Sequence, residues 1–235
     1  MSAHIIFDDL SNCSGFYNSG YWTEKSADLK GAQLNLIARL TEALSKRGRI
    51  LDVACGFGAS ALYLGQYYEP HQIYGIDISE PRVAACKVAS PKGNFSVMSA
   101  TQLGFGSNFF DDIICIASAV YFEPRDNYLA EAYRVLKVGG RIAMYDVIEK
   151  EPGPNSGGIS DMGSYRSALV KAGFSAITID DISGNVFMPF TGYLNGYVTS
   201  KNHLDIAEQT RALQSELLTS MSRWKCYVLV FATKA

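Results

Sequence analysis

The chain has 235 residues, 48% hydrophobic and 19% charged, so its length and composition predict one large folded domain with a substantial core. A net charge of -2 and the lack of a long block of lysine and arginine argue against a nucleic-acid partner. The five cysteines form no CxxC pair, and no apolar run approaches the about 18 residues of a membrane helix. We therefore expect a cytoplasmic protein without disulfides, a metal site or a membrane partner.

Between residues 30 and 150, strand-like apolar runs alternate with helical patterns, which is typical of βαβ units around a parallel sheet. An amphipathic helix is predicted first, over residues 30–48, with Leu34, Ile37, Leu40 and Leu44 on its apolar face. Five strands are predicted after it, at RILDVAC (49–55), QIYGIDIS (72–79), NFSVMSA (94–100), FDDIICIASAV (110–120) and RIAMYDV (141–147). Helices are predicted between them at ASALYLGQYY (59–68), EPRVAACKVAS (80–90) and NYLAEAYRVL (127–136).

The carboxy-terminal third has a different pattern. A loop at EPGPNSGG (151–158) leads to a helix over 164–174 and to two strands, over 175–183 and 224–235. The long separation of these strands predicts an antiparallel addition to the sheet edge, and residues 187–222 between them are expected to form a lid or substrate wall. The predicted fold is α/β, a Rossmann-like seven-stranded sheet with helices on both faces and an antiparallel final strand. We expect a single domain over 1–235 with an amino-terminal arm over 1–29.

The segment ILDVACGFGAS (50–60) marks the expected binding site. Gly56 and Gly58 end the first strand and open a helix, where glycine permits a tight turn and a close approach of the backbone to a ligand. Asp77 ends the second strand and can accept hydrogen bonds from both hydroxyls of a ribose. Gly56 to Ala61 also matches the loose dinucleotide pattern GxGxxG/A, but the fixed charge of Asp52 repels a pyrophosphate and suits an ammonium or sulfonium group.

Four ordered motifs carry a family resemblance: ILDVACGFGAS, YGIDIS, SATQLGFGSNFFDDIICIASAVYF and EAYRVLKVGGRIAMYD. They resemble the successive motifs of class I S-adenosylmethionine-dependent methyltransferases, in particular the small-molecule O-methyltransferases of natural-product pathways. The resemblance implies S-adenosylmethionine as cofactor, S-adenosylhomocysteine as product and a methyl acceptor that is a small hydrophobic or aromatic molecule. It gives no oligomeric state.

The resemblance also implies roles for individual residues. Around the methionine portion of the cofactor it places Asp52, Gly56, Gly58 and Ala117, and around the adenosine it places Asp77, Ile78, Ser99, Ala100 and Thr101. The opening FYNSGYW (16–22) is similar to a segment that caps the cofactor, which assigns Tyr17, Tyr21 and Trp22 to the site; the alternative is that these aromatic residues only pack the arm. The acceptor is expected against Phe187, Met188, Phe190, Tyr193, Tyr197 and Met221, although part of this set can serve only to attach the helices.

Two departures from the family pattern bear on the chemistry. Ser99 stands where an acidic residue usually accepts a hydrogen bond from the adenine, so that contact should be weaker by about 1 kcal/mol. Tyr121 stands where relatives often have a histidine base, and neither His4, His71 nor His203 obviously replaces it. Tyrosine is a poor base at neutral pH, so we assign Tyr121 to positioning the acceptor.

An acceptor that keeps its proton would need more help, for which Asp146, expected as an exposed carboxylate at the end of the fifth strand, is the candidate. The sequence predicts methyl transfer to oxygen. It leaves open a carbon or nitrogen acceptor, a descendant of the fold that catalyses a cyclisation or only binds the cofactor, and a nicotinamide dehydrogenase, which Asp52 disfavours.

Overall fold

A computed structural model describes residues 8–11, 13–153, 156–201 and 207–235 of the chain. Within these residues, seven strands form one sheet: β1 (Ile50–Val53), β2 (Ile73–Asp77), β3 (Asn94–Val97), β4 (Phe110–Ile116), β5 (Leu136–Glu149), β6 (Phe174–Asp181) and β7 (Trp224–Lys234). The helices that accompany them are α1 (Leu29–Glu42), α2 (Ala59–Leu64), α3 (Glu80–Ala89), α4 (Arg125–Val135), α5 (Met162–Ala172), α6 (Phe187–Lys201) and α7 (Ala207–Ser222).

The strand order is β3-β2-β1-β4-β5-β7-β6. Strands β3, β2, β1, β4 and β5 pair in parallel, and β7 is antiparallel to both β5 and β6. The predicted fold class is therefore confirmed, including the antiparallel final strand. The order reverses between β1 and β4, and ligands of such sheets bind beyond the carboxyl ends of the strands at this point.

Two apolar clusters lie on the two faces of the sheet. Successive residues of β1 point alternately into them, with Ile50 in one cluster and Leu51 in the other, and this explains why the strand is apolar except for Asp52. Helix α1 covers the first cluster with Leu36, Ile37 and Leu40. The prediction for Leu34 is wrong, because this side chain is 39% exposed and lies outside the buried stripe of the helix.

The excursion before the last strand is helical. It consists of α6 and α7, which pack on each other, while residues 202–206 between them lie outside the described part of the chain, as do residues 1–7 and 12 of the amino-terminal arm and 154–155 of the loop. The positions of His4 and His203 are therefore not described either. Among the described residues, no helix combines the length and the apolar character that crossing a membrane requires.

Candidate active site

The loop between β1 and α2 needs its two glycines for different reasons. Gly58 has φ +89° and faces α3, where an added Cβ would lie 3.1 Å from the Cys86 sulfur. Gly56 has φ +56°, and an added Cβ would meet no protein atom within 4 Å. Gly58 therefore serves the packing of the protein on itself, whereas Gly56 leaves its open side toward a cavity that it lines.

A first cavity of about 360 Å³ lies between the amino-terminal arm and the ends of β1 and β4. Of the predicted residues, Tyr17, Asp52, Gly56 and Ala117 line it. Asp52 is buried, and burial raises the pKa of its carboxyl to about 7, against the hydrogen bond that it accepts from the Ser60 hydroxyl. This carboxyl is thus held half-charged near neutral pH, at a place where a cation would favour its charged form.

A second cavity of about 350 Å³ continues past α3, and all five of the residues predicted to surround adenosine line it: Asp77, Ile78, Ser99, Ala100 and Thr101. Both oxygens of Asp77 accept backbone N–H groups, Oδ2 from Gly56 at 3.0 Å and Oδ1 from Ser79 at 2.9 Å. This carboxylate therefore also holds the glycine loop in place. Ile78 is 79% exposed, a large apolar surface at the edge of the cavity without a protein partner to cover it.

The hydroxyl of Ser99 already has partners in this second cavity. It lies 2.9 Å from the Thr101 hydroxyl and accepts the Thr101 backbone N–H at 3.2 Å. The pair closes a small turn just after β3. Ser99 can still accept a further hydrogen bond through its oxygen, but without the charge that an acidic residue would bring to this position.

A third cavity of about 140 Å³ lies between the arm, the ends of β5 and β7, and the two helices of the excursion. Its lining residues carry no charge: Tyr17, Asn18, Ser19, Ala117, Val120, Tyr121, Tyr145, Val147, Phe190, Leu217, Ser220, Met221, Trp224 and Tyr227. Of the aromatic and methionine residues predicted to face an acceptor, Phe190 and Met221 lie here, whereas Tyr193 and Tyr197 hydrogen-bond to Leu10 and Asp9 of the arm.

Tyr121 connects the three cavities. It belongs to a short 3-10 turn after β4, is 66% exposed and lines each of the three. Ala117, four residues earlier, lines the first and the third and has φ +57°, a conformation that turns the chain sharply at the end of the strand. The end of β4 is therefore where the cavities meet.

Two of the predicted cap residues lie elsewhere. Trp22 is buried, its indole N–H donates to the carbonyl of Ser19, and its ring packs at 5.2 Å from that of Tyr193. Tyr21 joins the same apolar cluster and donates its backbone N–H to Ala32 of α1. Both residues pack the arm, in agreement with the alternative stated for them, and neither lines the first or the second cavity; of the three, Tyr17 lines the first.

Asp146 also departs from its expected position. It lies within β5 rather than at its end, is fully buried, and pairs with the Arg125 guanidinium and, at 2.7 Å, with the Tyr165 hydroxyl. The prediction of an exposed strand-end carboxylate is wrong. Because the Asp146 carboxylate is buried in an ion pair with Arg125, we no longer consider it a candidate catalytic group.

Sequence reasoning missed several cavity residues. Arg82 lines both the first and the second cavity, and its guanidinium lies 3.8 Å from the Asp77 carboxylate. Its position in the first turn of the helix after Asp77 is the only feature of the sequence that indicates this role. Tyr227 and Trp224 come from β7, which reaches the site only because it runs antiparallel, and nothing in their local sequence shows this. Within the described residues, no cluster of histidine, cysteine or acidic side chains could hold a metal ion.

The doubly wound sheet, the glycine loop and the carboxylate after β2 define a nucleoside-binding α/β protein. Residues 51–144 match the methyltransferase domain family. The erythromycin 3''-O-methyltransferase of Saccharopolyspora erythraea is 31% identical, over 79% of this chain and 71% of that protein, and the O-methyltransferase cnsE of Penicillium expansum is 27% identical, over 77% and 75%. The crystal structure of the [4+2]-cyclase SpnF superimposes with a TM-score of 0.79 at 24% identity, covering 99% of this chain and 93% of that one.

The chain belongs to the class I S-adenosylmethionine-dependent methyltransferases, as the ordered motifs predicted. Its cofactor is S-adenosylmethionine and its class of activity is methyl transfer.

Proposed function

We propose that the protein transfers a methyl group from S-adenosylmethionine to an oxygen atom of a small, hydrophobic, natural-product-like acceptor. The observation that carries the proposal is the meeting of three cavities at Tyr121, of which the third is lined by aromatic and apolar residues without a charge. Such a wall suits an apolar or planar small molecule. The two relatives named above, both O-methyltransferases, support oxygen as the acceptor atom.

The linings of the first and second cavities support the proposed cofactor-binding roles. In our proposal Asp77 accepts the ribose hydroxyls, the exposed face of Ile78 covers one side of the adenine, and Ser99 to Thr101 meet the adenine edge. Asp52, Gly56 and Ala117 surround the methionine part, Gly58 shapes the loop, and Tyr17 closes the first cavity. The open space at Gly56 and the buried carboxyl of Asp52 fit a cationic nucleoside that approaches the backbone closely.

The chain's own part in the reaction is mainly positioning. The bound cofactor supplies a methyl group on a sulfonium, which transfers by direct displacement when the acceptor is aligned. Phe190, Trp224 and Met221 would hold the apolar body of the acceptor and exclude water. The hydroxyl of Tyr121, at the junction of the cavities, would hydrogen-bond to the acceptor near the reacting oxygen.

A cyclase-like function is the second candidate. The cyclase SpnF shares the fold, and the third cavity contains no histidine or charged base among its lining residues. Turnover of a substrate that continues without any methyl donor would favour this candidate over methyl transfer.

The first test is calorimetric titration of the purified protein with S-adenosylmethionine, S-adenosylhomocysteine and NAD. We expect micromolar binding of both sulfur nucleosides and none of NAD. Asp77→Asn should weaken the sulfur nucleosides at least tenfold, because the uncharged amide both loses ribose acceptors and loosens the glycine loop. Asp180→Asn, on strand β6, is the matched control and should leave all three affinities unchanged. Absence of binding of either sulfur nucleoside would overturn the proposed function.

The remaining proposals concern the whole protein. We propose that residues 1–235 act as one domain, in which the arm and the excursion of α6 and α7 cover the site, and that the protein works in the cytoplasm on small molecules rather than on nucleic acid or at a membrane.

A further inference from the structure

Among the residues that line the third cavity, Tyr227 has a buried side-chain hydroxyl that no other described residue hydrogen-bonds. Tyr227 lines this cavity and is 4% exposed, and its oxygen is buried without any hydrogen-bond partner among the described residues. A buried hydroxyl without a partner destabilises a fold, so native proteins keep such groups rarely and mainly where they serve a function.

The neighbouring tyrosine hydroxyls are accounted for. Tyr145 stacks on Tyr227, with ring centroids 6.3 Å apart and planes 11° apart, but its hydroxyl is not among the buried, unpartnered polar atoms of the described residues. Tyr17 donates to Asp8 at 2.9 Å, and the exposed Tyr121 has access to water. The lack of a partner is therefore particular to Tyr227 and is not a general property of this wall.

The position of Tyr227 connects it with the site. It lies near the start of β7, opposite Val147 at the carboxyl end of β5, and it lines the same cavity as Tyr121. Burial raises the pKa of Tyr227 well above its ordinary value, so the hydroxyl keeps its proton and is a hydrogen-bond donor at neutral pH. The residues that line this cavity carry no charge, so they offer no counter-charge to an ionised acceptor.

We infer that Tyr227 is a specificity-determining residue whose hydroxyl donates a hydrogen bond to a hydroxyl oxygen of a neutral acceptor bound in the third cavity. The inference rests on the proposed function, since it names the chemistry of the acceptor for that same site. A site built to bond a hydroxyl discriminates strongly against analogues that lack it, because the buried donor then stays unpaired. The substrate class is thus a neutral alcohol or phenol with an apolar body.

The test uses the full chain saturated with S-adenosylhomocysteine, which fills the nucleoside cavities, and titrates it with 2-naphthol and with naphthalene. We expect the wild-type protein to bind 2-naphthol more tightly, and Tyr227→Phe to weaken 2-naphthol about tenfold while naphthalene stays unchanged. Tyr133→Phe, on α4 and away from the cavities, is the matched control and should change neither affinity. The thermal midpoint of Tyr227→Phe should equal or exceed the wild-type value. Tyr165→Phe should lower it, because the buried Tyr165 hydroxyl loses its hydrogen bonds with Asp146 and Arg125.

Two results would overturn the inference. One is a wild-type protein without preference for 2-naphthol over naphthalene, including a protein that binds neither. The other is a Tyr227→Phe variant whose thermal midpoint falls as far as that of Tyr165→Phe, which would mean that the Tyr227 hydroxyl has a structural partner. Failure of the proposed function is recognised separately, because it appears as lost binding of S-adenosylhomocysteine to the wild-type protein before any naphthol is added.

Discussion

Two effects shift the pKa of the Asp52 carboxyl in opposite directions. Its burial favours the neutral acid and raises its pKa to about 7, whereas a cationic ligand in the first cavity would favour the carboxylate. In the unfolded chain the same group ionises near pH 4. Between about pH 4 and 7 the unfolded state therefore binds fewer protons than the folded state, and the stability of the unliganded protein falls as the pH rises.

Asp52→Asn should consequently separate stability from binding. At pH 8 the variant should have a higher thermal midpoint than the wild type, and at pH 5 this gain should be smaller, because the wild-type carboxyl is then neutral in the fold. The affinity for S-adenosylmethionine should rise with pH through about 7 in the wild type, and at pH 8 the variant should bind about tenfold more weakly. Differential scanning fluorimetry and calorimetry at the two pH values measure both effects.

Asp52→Asn also controls for the titration of the amino group of S-adenosylmethionine, which can itself make the affinity depend on pH. Any pH dependence that survives in Asp52→Asn belongs to the ligand, and only the difference belongs to Asp52. A variant that is less stable than the wild type at pH 8, or equally strong in binding, would contradict the assignment of Asp52 to the cationic part of the cofactor.

At the residue scale, the sequence predicted the location of residues whose position along the chain, at the end of a parallel strand, is enough to place them in the fold. Asp77 ends β2, and Ile78 and Ser99 come soon after parallel strands. Every such strand ends at the same edge of the sheet, so these residues lie together at the second cavity. Tyr227 and Trp22 depend on tertiary packing instead. Tyr227 reaches the third cavity on an antiparallel strand, and Trp22 is buried in the first apolar cluster. The local sequence around these two residues indicates neither position.

At the scale of elements, β5 illustrates how a buried charge joins a strand to two helices. Asp146 pairs with Arg125 at the start of α4 and accepts the Tyr165 hydroxyl from α5, while its Oδ1 accepts the backbone N–H of Val147 at 2.9 Å. All three side chains are fully or almost fully buried. Removing one member of such a pair leaves an uncompensated charge, which is much more costly than the pair itself.

Asp146→Asn tests this structural role against the catalytic role expected from the sequence. The variant should lose about 3–5 kcal/mol of unfolding free energy in urea, because Arg125 is left buried without its counter-charge. Tyr165→Phe, which removes the hydrogen bonds of this hydroxyl with Asp146 and Arg125 but leaves the ion pair, should lose about 2 kcal/mol. The fraction that stays folded should bind S-adenosylhomocysteine with unchanged affinity. Wild-type stability combined with lost activity would return Asp146 to the catalytic set.

The elements themselves were predictable to different degrees. The strands and helices between residues 30 and 150 follow the sequence pattern, because β1 and β4 are buried on both faces and the helices keep one apolar stripe. The two helices of the excursion were not predicted. Aromatic residues such as Phe190 and Tyr193 recur there on more than one side of α6, since the helix contacts both the cavity and the arm, and this obscures its period.

At the scale of the whole molecule, the arm and α6 form a common cover over the site, which we define as residues 13–22 and 187–201. The two parts meet where the ring of Trp22 packs on that of Tyr193, with centroids 5.2 Å apart. Two hydrogen bonds tie Trp22 to Asn185, two residues before α6. The backbone N–H of Trp22 donates to the Asn185 carbonyl at 2.8 Å, and the Asn185 side chain donates to the Trp22 carbonyl at 2.9 Å. The arm supplies Phe16, Tyr17 and Asn18 to the first cavity, and α6 supplies Phe190 to the third. The wall of the cofactor cavity is thus attached to the wall of the acceptor cavity.

This attachment predicts that the cover responds as a unit. Hydrogen exchange measured by mass spectrometry should slow in both 13–22 and 187–201 when S-adenosylhomocysteine binds. Asn185→Ala removes one of the two hydrogen bonds between Trp22 and Asn185. Hydrogen exchange in the arm should then become faster. The affinity for S-adenosylhomocysteine should fall several-fold, because one hydrogen bond contributes about 1 kcal/mol. Gln214→Ala is the matched control, because it breaks a bond of 2.6 Å between α7 and Asn195 of α6 without touching the arm, and it should leave exchange in 13–22 at the wild-type rate. If ligand protects the arm while α6 exchanges as before, the two walls move independently and acceptor binding is not coupled to the cofactor through this cover.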